Sequence, residues 1–375
     1  MPQEKLKIAI LGTRGVPANY GGFETFAEQL GLRLVKRGHQ VTVYARRRFF
    51  EKKDQLAFLG MIVRYAPTVF HKYLETPLHA FFSFLDLSRK QADVVILCNA
   101  ANSPFAWLLR AKRIPFVVNV DGIERQRRKW NSLGKLWYRV GEVASVVFAN
   151  KVVADAHVIR EYYLKHYRCQ AEVITYGAER LDAPAGKTLE KFGLSRANYI
   201  LYVSRLEPEN NAHLVIQAFQ NANLKVPLVV VGDAPYANEY KQELREIAGE
   251  RVIFCGFQFG ENYRELRANC LCYVQATEVG GTHPALVEAM AYGNSIVAND
   301  TPEHREVLQD CGLYYKKNSI EDLGLVLSKL VSDERLREEL STRATQRAEA
   351  HYSWDAITHS YEELLNIVSG KITKP

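Results

Sequence analysis

Short apolar runs recur along the chain, and helical spacing fills the intervals between them. LKIAIL, QVTVYA, MIVRYA, DVVILC and PFVVNV read as strands in the first half, and YILYVS, PLVVVG, VIFCG, CLCYVQ and SIVAN in the second. Most are almost continuously apolar, as strands buried on both faces must be. FETFAEQLGLRLVKRG has the spacing of an amphipathic helix, with a stop at Gly38. Strand and helix in alternation predict parallel sheets covered by helices on both faces. At 375 residues the chain is long for one domain, so two doubly wound domains are expected. The Gly-, Ala- and Pro-rich stretch VITYGAERLDAPAG is the candidate join. Ligands of such folds bind beyond the carboxyl ends of the strands, so two facing domains would hold an active site in the cleft between them.

Charge sharpens the division. Residues 1–180 carry 29 Lys and Arg against 15 Asp and Glu, a balance of +14, whereas residues 181–375 carry 20 against 27, a balance of −7. Opposite signs imply different partners for the two halves. No uninterrupted apolar run approaches the roughly 18 residues of a spanning helix. The opening MPQEKLKIAILG runs straight into a strand pattern with no secretory signal. The six cysteines (Cys98, Cys169, Cys255, Cys270, Cys272 and Cys311) form no Cys-x-x-Cys pair and mostly lie in apolar runs. Buried free thiols in a reducing cytoplasm are therefore expected.

Four stretches carry candidate chemistry: GTRGVPANYGGFETFAEQL (Gly12–Leu30), NVDGIERQRRKW (Asn119–Trp130), SRLEPENN (Ser204–Asn211) and VGGTHPALVEAMA (Val279–Ala291). In the last, Gly280, Gly281 and Thr282 can offer backbone N–H groups without obstruction, and Pro284 suits a first helical position. A helix N-terminus there would aim its positive end at an anion such as a diphosphate. A carboxylate at Glu288, one turn in, can accept both hydroxyls of a vicinal pair.

Taken together, the four stretches resemble the retaining glycosyltransferases of the GT-B fold, family 4, and among them a bacterial rhamnosyltransferase-like subgroup. The likeness spans nearly the whole chain. It implies an α/β GT-B architecture of two Rossmann-like domains facing across a cleft. Residues 1–178 would form the acceptor-side domain and 179–355 the nucleotide-sugar domain, with a helix at about 356–375 packing back on the first. By resemblance, Glu288 holds the donor ribose and Arg205 the diphosphate, whose oxygens suit a guanidinium fork. Gly280, Gly281 and Thr282 would line the donor site, together with Gly21 and Gly22 of the Gly-Gly-x-Glu loop. Arg14 and Glu24 of that loop become acceptor-side candidates facing the cleft. Asp121 stands near the place where relatives keep a histidine against the donor sugar. The family's Glu-x7-Glu is altered: Gly280 lies eight residues before Glu288 and Glu278 lies ten before, making Glu278 a candidate for the first glutamate. Asn210 stands where the family has a lysine.

The implied reaction moves a sugar, rhamnose by the subgroup likeness and dTDP-rhamnose as donor, to a glycan or lipid-diphosphate-linked acceptor in cell-surface polysaccharide synthesis. Anomeric configuration would be retained. Asp-x-Asp, His-x-x-x-His and paired-Cys spacings are absent, so no metal or cofactor is expected. One rival is a sugar-nucleotide-binding scaffold of little activity, suggested by Asn210 and the altered glutamate spacing. Another is a dinucleotide-dependent oxidoreductase, but GTRGVP lacks Gly-x-Gly-x-x-Gly and no acid closes QVTVYARRR. No nucleic-acid recognition motif accompanies the basic half. Basic residues mixed with aromatics in ARRRFFEKK (Ala45–Lys53), ERQRRKWNSLGKLWYR (Glu124–Arg139) and HKYLETPLHAFFSFL predict peripheral contact with an anionic membrane at the inner face.

Overall fold

The computed structural model describes residues 5–50, 56–235 and 237–371. The chain divides into two compact units. The first comprises Met1–Gln126, Trp130–Tyr176 and Trp354–Pro375, and the second Arg127–Lys129 and Gly177–Ser353.

Eight strands form the sheet of the first unit: β1 (Lys7–Leu11), β2 (Gln40–Arg46), β3 (Ala57–Phe58), β4 (Met61–Ala66), β5 (Val94–Cys98), β6 (Phe116–Asn119), β7 (Lys151–Ala154) and β8 (Glu172–Val173). Their order is β3-β4-β2-β1-β5-β6-β7-β8, parallel except for the β3–β4 pair. Alternate residues of β1 feed two cores. Ile8 and Ile10 pack with Phe26, Tyr361 and Leu365 on one face, and Ala9 and Leu11 with Phe84 and Leu109 on the other. Both faces are dry, which explains the continuous apolar run. The Trp354–Val368 helix contributes Trp354, Ile357, Tyr361, Leu364 and Leu365 to the first of these cores.

The second unit has six strands: β9 (Ile200–Val203), β10 (Leu228–Val231), β11 (Val252–Gly256), β12 (Cys272–Gln275), β13 (Ile296–Asn299) and β14 (Leu313–Tyr315). They run wholly parallel in the order β11-β10-β9-β12-β13-β14. Ile200 and Tyr202 enter one core, while Tyr199 and Leu201 enter the other.

Chain direction across each sheet reverses at one place. In the first unit β1 and β5 are neighbours, and in the second β9 and β12. Loops leaving such a pair diverge to opposite sides and open a crevice at the carboxyl ends of the strands. The helix predicted after β1 forms over Gly22–Lys36, and the chain turns off at Gly38 with φ 93°.

Candidate functional site

In the second unit, both motifs of the second half leave the β9/β12 switch point. Arg205 follows β9 by two residues, and Glu278 to Thr282 follow β12. Hydrogen bonds tie the two loops together. The Glu278 N–H donates to the Glu209 carbonyl oxygen at 3.0 Å, and Asn211 Nδ2 donates to the Ala276 carbonyl oxygen at 2.9 Å. Asn210, which occupies the position where the resemblance led us to expect a lysine, is buried and structural. Its Nδ2 donates to the Arg205 carbonyl oxygen at 2.8 Å, and its own carbonyl oxygen accepts from the Tyr202 hydroxyl at 2.6 Å. Asn210 therefore braces the backbone that carries Arg205 and supplies no charge. The Arg205 side chain is 28% exposed, with Nη1 4.0 Å from Glu207.

Cations from elsewhere in the chain stand at this loop, each beside a carboxylate. Arg127–Lys129 groups with this unit and meets the loop after β9. Arg127 Nη1 lies 3.7 Å from Glu209 and 3.8 Å from Glu207, and Lys129 Nζ donates to both oxygens of Glu207 at 3.0 and 3.1 Å. Arg128 approaches Glu278 at 3.3 Å. Burial raises the pKa of Glu207, but Arg205, Lys129 and Arg127 outweigh it and hold the carboxyl at about 2. Sequence reasoning singled out neither Arg127, Lys129, Glu207 nor Glu209 as a site residue. The complementary signs of ERQRRKW and SRLEPENN were the available signal.

Beyond β12 the chain turns through Gly280 to His283 and enters the Pro284–Ala291 helix, with His283 as N-cap and Pro284 first in the helix. Pro there lacks only an N–H that the helix leaves unpaired. The Leu286 and Val287 N–H groups donate to the His283 carbonyl oxygen at 2.9 and 3.2 Å, so the Ala285 amide and the positive end of the dipole are what the helix offers the turn. A Cβ at Gly280 would lie 2.3 Å from His283 Cε1, so glycine is needed for this ring to pack. Gly281 and Thr282 are buried. The His283 ring sits 5.1 Å from that of His304, whose Nδ1 meets the Asn299 carbonyl oxygen at 2.7 Å. Burial, then His304, Arg127 and Arg205, push His283 well below the usual imidazole range. The turn thus lies at the positive end of a helix, within electrostatic reach of Arg127 and Arg205 and beside neutral imidazoles.

Glu288 lies on the same helix. Its Oε2 accepts from the Tyr263 hydroxyl at 2.8 Å and lies 3.5 Å from Arg267 Nη2. Arg267 is fully buried, also meets the Tyr263 hydroxyl, and donates from Nη1 to the Ala285 carbonyl oxygen at 2.6 Å. This bracing restricts the rotamer of a carboxylate that remains 20% exposed.

In the first unit, the loop after β1 closes tightly on β5. Gly12 has φ 93°, and a Cβ there would stand 2.2 Å from the Cys98 carbonyl oxygen. Arg14 and Glu24, the acceptor-side candidates, are buried. The Arg14 N–H donates to Glu24 Oε1 at 2.7 Å. Its guanidinium pairs with Glu75 at 3.2 Å and lies 3.3 Å from the Tyr20 ring centroid and 4.3 Å from that of Phe49. Arg46 shares Glu75. Desolvated charges are costly unless paired, so both candidates are committed to holding the loop. Gly21 caps the Gly22–Lys36 helix in extended backbone that any residue adopts. A Cβ on it would meet only Glu24 Oε2, at 3.6 Å. Nothing in the protein itself requires glycine at that position. Asp121, just past β6, has φ 53°. Its N–H donates to Asn119 Oδ1 at 3.1 Å, and its Oδ1 accepts from the Tyr176 hydroxyl at 3.3 Å.

Two Rossmann-like α/β domains with parallel sheets, each with motif loops at its switch point, define the GT-B class. Residues 187–347 match the family described as glycosyl transferases group 1, and residues 20–178 match glycosyltransferase family 4. The chain belongs to the GT-B glycosyltransferases of this group 1/family 4 type. An N-acetylgalactosaminyltransferase of Campylobacter jejuni, acting on an N-acetylgalactosamine-N,N'-diacetylbacillosaminyl-diphospho-undecaprenol, is 25% identical over 55% of this chain and 56% of its own. The chain spans about half the length of the curated relatives it matches. Sucrose-phosphate synthase of Thermosynechococcus elongatus superposes with a TM-score of 0.81 over 97% of this chain and 99% of that one, at 18% identity. HepE of Anabaena, solved with UDP-glucose, does so at 0.79 over 96% and 99%, at 19% identity.

Proposed function

We propose that the protein transfers a glycosyl group from a nucleotide-diphospho sugar to an acceptor hydroxyl on a glycan or lipid-linked glycan, with retention at the anomeric carbon. One observation carries this reading. Arg205, Arg127 and the amide turn at the Pro284–Ala291 helix converge on the β9/β12 switch point, a short distance along the chain from the braced carboxylate of Glu288. Such a site suits a diphosphate attached to a ribose. Gly21, which its own surroundings do not require, leaves room for a ligand against the first unit's loop.

In the reaction, the bond from the anomeric carbon to the diphosphate oxygen breaks and a bond to the acceptor oxygen forms on the same face. The acceptor proton passes to the departing phosphate oxygen. Negative charge grows on that phosphate, and Arg205 with the helix amides stabilises it more in the transition state than in the ground state. These cationic and amide groups are suited to the work without a metal. Asp121 is the candidate to hold a sugar or acceptor hydroxyl. Glu278, paired with Arg128, is the candidate for the role of the family's first glutamate. The donor proposed is dTDP-rhamnose. The Campylobacter relative's diphospho-undecaprenol acceptor supports a lipid-linked acceptor here.

The test is product formation from a panel of dTDP-, UDP- and GDP-sugars with a lipid-diphosphate glycan, with anomeric configuration read by NMR. Turnover by dTDP-rhamnose to a product that keeps the donor's anomeric configuration supports the full reading. Turnover by another donor keeps the transferase and replaces the sugar. Tight donor binding with neither transfer nor hydrolysis would favour a binding protein.

A further inference from the structure

The Ser132–Phe148 helix wears its amphipathicity inside out. Its inner face is small or polar. Gly134, Gly141, Glu142, Ala144 and Ser145 are buried, and a Cβ on Gly141 would lie 2.4 Å from the Ala100 carbonyl oxygen. The one acid of the helix, Glu142, points inward and is taken up by the Tyr162 and Tyr167 hydroxyls at 2.9 and 2.5 Å and by Arg125 at 3.3 Å. Outward face Leu133, Leu136, Val140, Val143 and Val147, each between 45 and 74% exposed. Their spacing of three and four residues places them in one stripe. A surface helix of a globular protein normally does the reverse. Single exposed apolar residues need no explanation, but a contiguous stripe marks an interaction surface.

Lys135 and Arg139 are exposed on this helix, and no acid accompanies them. Ring contacts from Phe82 through Phe81 and Phe105 to Trp137 join the helix to Glu75–Asp86, which exposes Phe82 and Leu85. The basic residues expected to meet a membrane from Glu124–Lys129 are engaged elsewhere. Arg125 is on Glu142, Arg127 and Lys129 are on Glu207, and Arg128 is on Glu278. Of Ala45–Lys53, Arg46 is buried on Glu75, and Glu51 to Lys53 lie outside the described residues.

We infer that the outer face of the Ser132–Phe148 helix is a docking surface for an anionic lipid bilayer, with Leu133, Leu136, Val140, Val143 and Val147 entering the interface and Lys135 and Arg139 meeting headgroups. Charge complementarity selects this occupant. A second copy of the chain would double the positive charge of Lys135 and Arg139 at the seam with no acid on the face to pair it, whereas anionic headgroups satisfy both. At 17 residues the helix is about 25 Å long, and lying flat it immerses the whole stripe. No helix among the described residues is long and apolar enough to cross a membrane. The inference adds to the proposed transfer to a lipid-linked acceptor without resting on it, because vesicle binding is measured with no donor present.

Flotation of the full chain with phosphatidylcholine vesicles, with and without phosphatidylglycerol, tests it. The chain should float with phosphatidylglycerol and remain below without it. Leu136→Glu with Val140→Glu should reduce the bound fraction by about tenfold or more at low and high salt alike. Lys135→Gln with Arg139→Gln should weaken binding roughly tenfold at low salt, with the difference shrinking as salt rises. Brominated phosphatidylglycerol vesicles should quench the tryptophan emission of the unaltered chain, a readout that needs no variant to fold. No flotation with phosphatidylglycerol, or folded Leu136→Glu/Val140→Glu that floats like the parent, overturns the proposal. So does a dimer in light scattering that the same pair of substitutions dissolves while vesicles capture neither form.

Discussion

At the scale of single residues, paired charges decide most of the behaviour. Arg205→Ala should lower kcat more than it weakens donor binding, because phosphate charge grows toward the transition state. Arg205→Lys should recover only part, lacking the fork. Stopped-flow turnover beside donor titration separates the two effects, and wild-type kcat in the alanine variant would remove the leaving-group role. Glu288→Gln keeps the volume but gives up charge-assisted bonds worth roughly 1.5–3 kcal/mol each, so donor affinity should fall by about tenfold or more. Calorimetric titration checks this, and unchanged affinity ends the ribose assignment. Glu209 is fully buried, and its oxygens accept no hydrogen bond among the described residues, so it leans on Arg127 at 3.7 Å. Arg127→Ala should destabilise the fold by roughly 3 kcal/mol by stranding that carboxylate. Adding Glu209→Gln should restore part of the loss in denaturant titrations.

At the scale of elements, the turn before the Pro284–Ala291 helix is shaped by one ring against one glycine. Gly280→Ala drives a methyl into His283 and should cost about 1–3 kcal/mol, as overpacking does. His283→Ala in the same chain should relieve that strain, a coupling that a double-mutant cycle in thermal melts would show. The helix start itself was legible in the sequence, because Gly-Gly-Thr-His-Pro before an apolar run has a local cause. All ten strands read from apolar runs are present, because most of them are buried on both faces and so read as continuous apolar runs. The two-residue β3 and β8 and the three-residue β14 were not singled out, since such lengths carry no readable period, and neither was β7, although at four residues it is no shorter than strands that were. Arg127 and Lys129 were visible as basic residues, but their carboxylate partners lie about 80 residues away and only folding pairs them. Arg14 and Glu24 were acceptor-side candidates by resemblance, and their burial was not legible in the sequence. Tyr20 closes over Arg14 from the same loop, but Glu75 and the Phe49 ring come from distant parts of the chain.

At the scale of the whole molecule, each unit buries a neutral histidine. Burial, with Arg46, pushes His79 down to about 3, and burial pushes His304 down to about 4 against its bond to Asn299. Both folded values lie below the unfolded value near 6.5, so the unfolded chain takes up the protons first. The stability contributed is complete above about pH 6.5 and drains as pH falls toward 4 and 3, by up to about 1.4 kcal/mol per pH unit for each group. Tm should therefore decline from pH 7 to pH 5, and His304→Asn should flatten the decline; a Tm independent of pH over that range would contradict this. The charge division between the halves finds its use in the account as well: cations near the diphosphate turn and a basic, apolar helix for the bilayer.

The second unit's switch point is the proposed binding site of a nucleotide-diphospho sugar. Thermal denaturation of the full chain in the presence of dTDP-rhamnose, other nucleotide sugars, free nucleoside diphosphates and NAD tests it most directly, since a ligand bound only by the folded state raises Tm by mass action. A concentration-dependent rise with at least one sugar nucleotide is expected, diminished in Arg205→Ala and Glu288→Gln, and none with NAD. A Tm unmoved by every sugar nucleotide, or raised by NAD alone, would contradict it.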